Sequence, residues 1–307
     1  MRNNTNVKEF ILVGLSEITA YQPLLFLVFL CIYIVTLCGN LCMIVAYNLN
    51  SKLHTPMYFN LANFAFTEMG YVTTIVPKML ENFLAERKTI TFNGCATQMY
   101  FAFLFAGVEC YLLAAMAYDR YNAICHPLLY ITIMSRKVCL QLVVGSWMLS
   151  AVNALIHNVL TFTLTFCGSN TINHFFCDVP PVLELACTST KINEIVLFIG
   201  GGCVLISSIT VITISYVRII STILNMNSSS GRKKAFSTCT SHFTVVAIFY
   251  GSAIFMYFRP KSSYSMHQDS LASLMYTVIA PLLNPFIYSL RNKDVKEALR
   301  SLKDGFV

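Results

Sequence analysis

Seven apolar stretches, near residues 24–48, 57–80, 96–118, 139–162, 195–220, 239–258 and 271–290, constrain this chain more than any other feature. About 20 apolar residues in helical form cross a hydrocarbon core of roughly 30 Å, and each stretch meets that length. The runs are too long for barrel strands, and backbone polar groups inside lipid must be satisfied within the segment, so helices are predicted. Charged residues make up 11% of the chain against 56% hydrophobic, too few to cover a water-soluble domain of 307 residues. The expectation is an all-α membrane protein, a seven-transmembrane helix bundle. Ser, Thr, Asn and Tyr recur inside the stretches, which favours helices that face one another over isolated anchors.

An odd number of spans puts the two ends on opposite sides. With the N-terminus outside, thirteen of the 21 Lys and Arg fall in cytosolic segments, and net charge divides as +9 inside, zero outside and −2 within the spans. Lys and Arg set orientation, so this arrangement is predicted. The basic excess then suits the cytosolic leaflet, a membrane-lipid contact, and a cytosolic partner; no nucleic-acid partner is expected. MRNNTNVKEF lacks the apolar core of a cleavable signal, leaving the first span to act as the signal. The predicted organisation is an extracellular N-terminus (1–23), a seven-transmembrane domain (24–290) and a cytoplasmic amphipathic helix and tail (291–307). In the last of these, Val295, Ala298, Leu299 and Leu302 recur at helical spacing opposite Lys and Arg.

Of twelve cysteines, eight lie in or against spans, where a thiol is ordinary packing. Cys95, Cys167, Cys177 and Cys187 fall on the oxidising outer side. Their three pairings cannot be separated by spacing, and Cys-x9-Cys-x9-Cys is not a tight zinc spacing, so two disulfides are favoured over a metal. The outer segment 163–194, carrying three of these cysteines, is expected to be a lid or pocket wall. Asn3 begins a glycosylation sequon on the outer side; a second sequon at Asn227 is cytosolic and inert.

Two strings stand out for polar groups at the inner membrane face. In MAYDRYNAICHPLLY (116–130), Asp119 and Arg120 point different ways on a helix, so the acid is expected to make a local tether while Arg120 reaches inward; Pro127 ends the helix. In PLLNPFIYSLRN (281–292), Pro285 is expected to kink the seventh span, with Asn284 and Tyr288 one turn apart at its inner end.

Asp119-Arg120-Tyr121, Asn284-Pro285-x-x-Tyr288, Asn40, Trp147 and Cys95 together resemble the rhodopsin-like G-protein-coupled receptors. LHTPMYF (53–59), the 116–130 string, Ser215-Tyr216, KAFSTCTSHFTVV (234–246) and PLLNPFIYSLRN resemble the olfactory receptor family of the class II, land-vertebrate type, over almost the whole chain. That resemblance implies an odorant pocket in the outer half of the bundle and coupling to a heterotrimeric stimulatory G protein that raises cyclic AMP, in the cilia of olfactory neurons. It implies that Arg120 meets the G protein, that Tyr216 and Tyr288 stabilise the open state, and that Cys95 pairs with Cys177 and Cys167 with Cys187.

Three positions depart from the family strings: Glu68 for the commoner Asp, Asn60 after PMYF, and Asn122 after DRY. Asn60 and Asn122 are expected to hydrogen-bond across the second and third spans, at about 1 kcal/mol. Glu68 and Glu109 are the acids within spans, where an ionisable group is expensive. The resemblance implies that both lie near a sodium-type site beneath the pocket and share a proton or a sodium ion as an internal switch, with no other cofactor expected. Helical faces nominate Met99, Ala102, Phe103, Ala106 and Gly107 from the third span, Tyr250, Ile254 and Tyr257 from the sixth, and Thr277 from the seventh as ligand contacts. No acid stands on that stripe and Lys261 lies at the outer rim, so the expected ligand is a small, neutral, hydrophobic odorant held by burial and one hydroxyl. An enzyme is not expected, because the Ser and His residues are scattered and no metal-ligand spacing accompanies the acids. A transporter would need inverted repeats, which are not visible. A peptide or amine receptor is disfavoured by the short N-terminus and the missing counter-ion.

Overall fold

Helix ends are set where the sequence places proline and small polar caps. Pro23 and Pro56 stand in the first turns of α1 (Gln22–Leu49) and α2 (Pro56–Leu84), where a missing N–H costs nothing. Thr91 caps α3 (Phe92–Cys125), its hydroxyl accepting the Gly94 N–H at 3.1 Å, and α3 stops at His126, just before Pro127. A short α4 (Tyr130–Ile133) leads into α5 (Arg136–Phe162); α6 (Val179–Leu183) sits in the outer loop, capped by Asp178. Then come α7 (Lys191–Leu224) and α8 (Ser229–Tyr257). The last span, Leu271–Tyr288, contains a π-helical turn at Met275–Ile279 before α9 (Ala280–Ser289).

This computed structural model describes residues 7–14, 21–167, 169–226, 228–257, 271–289, 295 and 297. Asn3, Asn227, Lys261 and nearly all of the expected amphipathic helix lie outside them. Val295 is described and is fully buried against the inner core. Each of the seven apolar stretches becomes a long helix. By length and composition, α1, α3, α5, α7 and the last span can cross a membrane; α8 has a shorter apolar stretch, His242–Phe255.

Helix α3 is the axis of the bundle. In its most apolar window 67% of residues are buried, against 17% in α1 and 28% in α5 and α7, and it packs on α2, α5, α7 and α8. Leu24, Leu27, Ile34, Met148, Leu155, Phe198 and Ile206 are exposed, an apolar belt that suits lipid and not water. Between helices in lipid the hydrophobic drive is small, so close packing decides association. At Gly39 a side chain would stand 2.8 Å from the Pro285 Cβ, and the bare backbone lets α1 lie against α9.

A small sheet closes the outer end, which the periodicity of the chain did not reveal. β1 (Glu9–Leu12) lies between β2 (Thr89–Thr91), antiparallel with Phe10 opposite Ile90, and β3 (Thr171–Ile172), parallel with Ile11 opposite Thr171. Phe10 and Leu12 point into an outer core with Ile90, Phe166, Ile172 and Val182. Residues 9–12 of the N-terminal segment are thus pinned to the outer loops above the bundle.

Candidate ligand cavity and cytosolic switch

Under the sheet lies a cavity of about 570 Å³, within the range of small-molecule sites. Its wall is Tyr71 of α2, Ala102, Phe103, Ala106, Gly107 and Cys110 of α3, Asn153 of α5, Leu197, Phe198, Gly201, Gly202, Val204 and Leu205 of α7, Phe249 and Ala253 of α8, and Tyr276. The outer loop supplies the roof through Phe176, Asp178, Pro180, Leu183 and Glu184. Two disulfides hold that roof: Cys95–Cys177 ties it to the tip of α3, and Cys167–Cys187 closes the loop on itself, with Cα separations of 5.5 and 5.8 Å. Both pairings are those the resemblance implied.

Of the nominated contacts, Ala102, Phe103, Ala106 and Gly107 line the cavity. The others, Tyr257 aside, are placed elsewhere for identifiable reasons. Met99 packs in the outer core beside the Cys95–Cys177 bond. The Tyr250 hydroxyl donates to the Cys110 carbonyl at 3.1 Å, and Thr277 donates to the Ser273 carbonyl at 2.7 Å, so both hydroxyls are already engaged. Ile254 is 44% exposed. Tyr257 ends α8, and its side chain lies outside the described set. In each late span the lining residue stands next to the nominated one: Phe249 and Ala253 in place of Tyr250 and Ile254, Tyr276 in place of Thr277. A one-residue offset turns a helix by about 100°. For Tyr276 the cause is local, since the π-helical turn inserts a residue and breaks the 3.6 periodicity. The helical stripe carries no acid, but the expectation of an acid-free pocket needs correction at the roof. There Asp178 accepts the Val179 N–H at 2.8 Å, while Glu194, at the start of α7, accepts from Thr190 at 2.9 Å.

Below the cavity Glu68 is buried, and one of its oxygens accepts from the Asn284 side-chain amide, which fixes α2 to α9. Its other oxygen, and Oε1 of the equally buried Glu109, have no hydrogen-bond partner. Buried carboxylate oxygens without a hydrogen-bond partner fit a shared proton or a cation.

At the inner face Asp119 accepts from the Tyr130 hydroxyl at 2.8 Å, the local tether expected of it. No Asp119–Arg120 ion pair forms among the described residues, where the pair present is Lys78–Glu81. Arg120 points inward, only 8% exposed and with Nε unpaired, while Tyr121 turns outward to His126 at 3.1 Å. Tyr216 bonds Nδ1 of the buried His242 at 2.7 Å, which joins α7 to α8. Tyr288 is buried with a free hydroxyl, its ring edge-on to Phe64, and Pro285 lies against α1. The Asn60–Asn122 bridge is not formed. The Asn122 amide donates to its own helix, to the Tyr118 carbonyl at 2.8 Å, while Asn60 is fully buried with neither side-chain atom paired.

A family profile described as "Olfactory receptor" matches residues 29–303. The chain belongs to the olfactory receptor family. Olfactory receptor 5AP2 of Mus musculus is 52% identical over 100% of this chain and 96% of its own length. Olfactory receptor 5AR1 of Homo sapiens is 51% identical over 98% of this chain and 97% of its own. The fold is similar to squid rhodopsin, with a TM-score of 0.74 and 18% identity, covering 94% of this chain and 87% of that one. The chain is therefore a multi-pass plasma-membrane receptor of the G-protein-coupled class and not an enzyme, with a small-molecule ligand and a G protein as its partners.

Several residues of the olfactory receptor's site had no sequence signal of their own. Asn153 reads as one more amide in an apolar run, and Phe176 as one more loop aromatic. His242 lies inside KAFSTCTSHFTVV but is marked there as a string member, not as the partner of Tyr216. Only the packing of α7 on α8 brings those two rings to a stacked 5.8 Å.

Proposed function

We propose that the receptor binds a small, neutral, hydrophobic odorant in the cavity beneath the outer loop and activates a stimulatory, olfactory-type G protein that raises cyclic AMP. The observation that carries the ligand class is the lining: mostly aliphatic and aromatic, with no Lys or Arg among the described wall residues. An anionic ligand would meet Asp178, Glu184 and Glu194 with nothing to balance its charge. A cation would find no acid on the α2, α3 and α8 walls, and Asp178 and Glu194 already accept hydrogen bonds from Val179 and Thr190. An odorant that fits better when α8 is displaced shifts the receptor toward that shape, through its differential affinity alone. Arg120, buried between α3, α7 and α8 with an unpaired Nε, is the group such a displacement would present to the G protein.

The further parts of the reading rest on sequence, geometry and the family resemblance together. An outside N-terminus agrees with the positive charge of the inner segments and puts both disulfides on the oxidising side. Asn3 is then a glycosylation acceptor, the tail meets membrane lipid, and olfactory cilia are the destination. A sodium ion or a shared proton would be held by the free oxygens of Glu68 and Glu109, where it would balance like charges.

The test is a cyclic AMP assay in cells carrying the olfactory G protein, screened with a broad odorant panel and repeated with Arg120→Ala. The substitution is expected to abolish the response at unchanged surface level. An undiminished response in the variant overturns the role given to Arg120, and a response that bypasses cyclic AMP overturns the G-protein type.

A further inference from the structure

The inner face of α5 carries polar side chains that the fold leaves unspent. Ser150, Asn153 and His157 follow one another at helical spacing. Ser150 Oγ and His157 Nε2 are buried, at 1% and 2% residue exposure, and neither has a hydrogen-bond partner. A hydroxyl in a span is ordinarily satisfied by the carbonyl one turn back, as Ser146 on this same helix is by Leu142 at 2.7 Å. Asn153 lines the cavity, and its amide makes no hydrogen bond among the described residues. Its neighbours on the opposite wall are glycines. A side chain at Gly200 would stand 2.8 Å from Asn153 Oδ1 and 2.9 Å from His157 Nε2, so both polar atoms pack against the bare backbone of Gly200 where α5 meets α7, beside the cavity. At Gly201 and Gly202, which line the cavity, an added Cβ would meet nothing within 4 Å.

We propose that Asn153 is the hydrogen-bonding subsite of the cavity, taking the oxygen-bearing group of the ligand, and that Gly200, by lacking a side chain, leaves room for its amide beside His157. The Asn153 amide offers both donors and an acceptor, so an alcohol, ketone, ether or ester fits where a bare hydrocarbon leaves it unsatisfied. A site built for a hydrogen bond rejects the analogue lacking it, because its own polar groups then stay unpaired. This deepens the reading of the cavity as an odorant site and moves the polar contact from the hydroxyls of the sixth and seventh spans to the α5 wall.

The test uses the purified full-length receptor in detergent, with thermal-unfolding midpoints followed during titration with alcohols and ketones of about six to ten carbons and their parent alkanes, sizes suited to a small-molecule cavity. At least one oxygenated member is expected to stabilise the wild type beyond its alkane. Asn153→Leu and Gly200→Ala are each expected to weaken that member by about tenfold, the worth of one hydrogen bond. Gly145→Ala, where a Cβ meets nothing within 4 Å, is expected to change nothing. The subsite is overturned if no oxygenated member exceeds its alkane in the wild type, or if the excess survives Asn153→Leu. Should that variant not fold, survival in Gly200→Ala decides it in the same way. No G protein takes part, so a receptor that passes here yet raises no cyclic AMP would sink the signalling reading and leave the subsite standing.

Discussion

Among single residues, His174 shows how burial converts an ordinary loop histidine into a pH-dependent clasp. Its Nε2 meets Ser273 Oγ of the last span at 3.0 Å, its Nδ1 accepts the Phe176 N–H at 3.4 Å, and its ring stacks on Phe175. Burial lowers its pKa from 6.5 to about 4. The folded state therefore wants it neutral. The stabilisation is complete above the unfolded pKa and is lost as pH falls toward the folded one, about 3 kcal/mol in all. Unfolding midpoints are expected to drop between pH 6.5 and pH 4, and His174→Gln should flatten that slope. Asn60 shows the opposite economy, a fully buried amide with no partner. Asn60→Leu is expected to raise the unfolding midpoint by the equivalent of about 1 kcal/mol, since an unsatisfied polar group costs that much or more. A lowered midpoint would mean that the amide has a partner in the membrane.

Among elements, β1 is the one whose role the chain least advertised. EFIL is too short and too ordinary to read as a strand, and its partners lie far along the chain at Thr89–Thr91 and Thr171–Ile172. Phe10 anchors it, fully buried with Phe92 and Phe166 rings at 5.9 and 5.5 Å. Phe10→Ala is expected to cost about 3 kcal/mol of local stability. Because the same layer roofs the cavity, odorant potency should fall while the maximal cyclic AMP response is kept. Proteolysis of the outer loop with and without odorant would read the loosening directly. The last span makes a related point. Besides Pro285 inside α9, this span holds a π-helical turn earlier, at Met275–Ile279, which turns Tyr276 into the cavity in place of Thr277.

For the whole molecule, the two disulfides differ in what they close. Cys95–Cys177 spans 82 residues and Cys167–Cys187 spans 20. In the chain-entropy picture the first restrains the unfolded chain by about 4.5 kcal/mol and the second by about 3.3 kcal/mol. Replacing Cys95 and Cys177 by Ala should therefore lower the unfolding midpoint and surface level further than replacing Cys167 and Cys187; equal losses would show that native contacts, not chain entropy, dominate.

Span number, the likeness of the motif strings and the α3 face of the cavity were legible because each rests on a local property: apolar length, residue order, or periodicity along one unbroken helix. Ala102, Phe103, Ala106 and Gly107 illustrate the last. What only the tertiary structure decided depends on how helices are turned about their axes and what comes to rest against them. Phe249 and not Tyr250 faces the cavity; Asp119 finds Tyr130 and not Arg120; Asn60 and Asn122 miss each other; Asn153 and His157 pack against Gly200. In lipid every face of a span is apolar enough to be buried or exposed, so composition does not choose the rotation. Close packing and the placement of a few polar groups do.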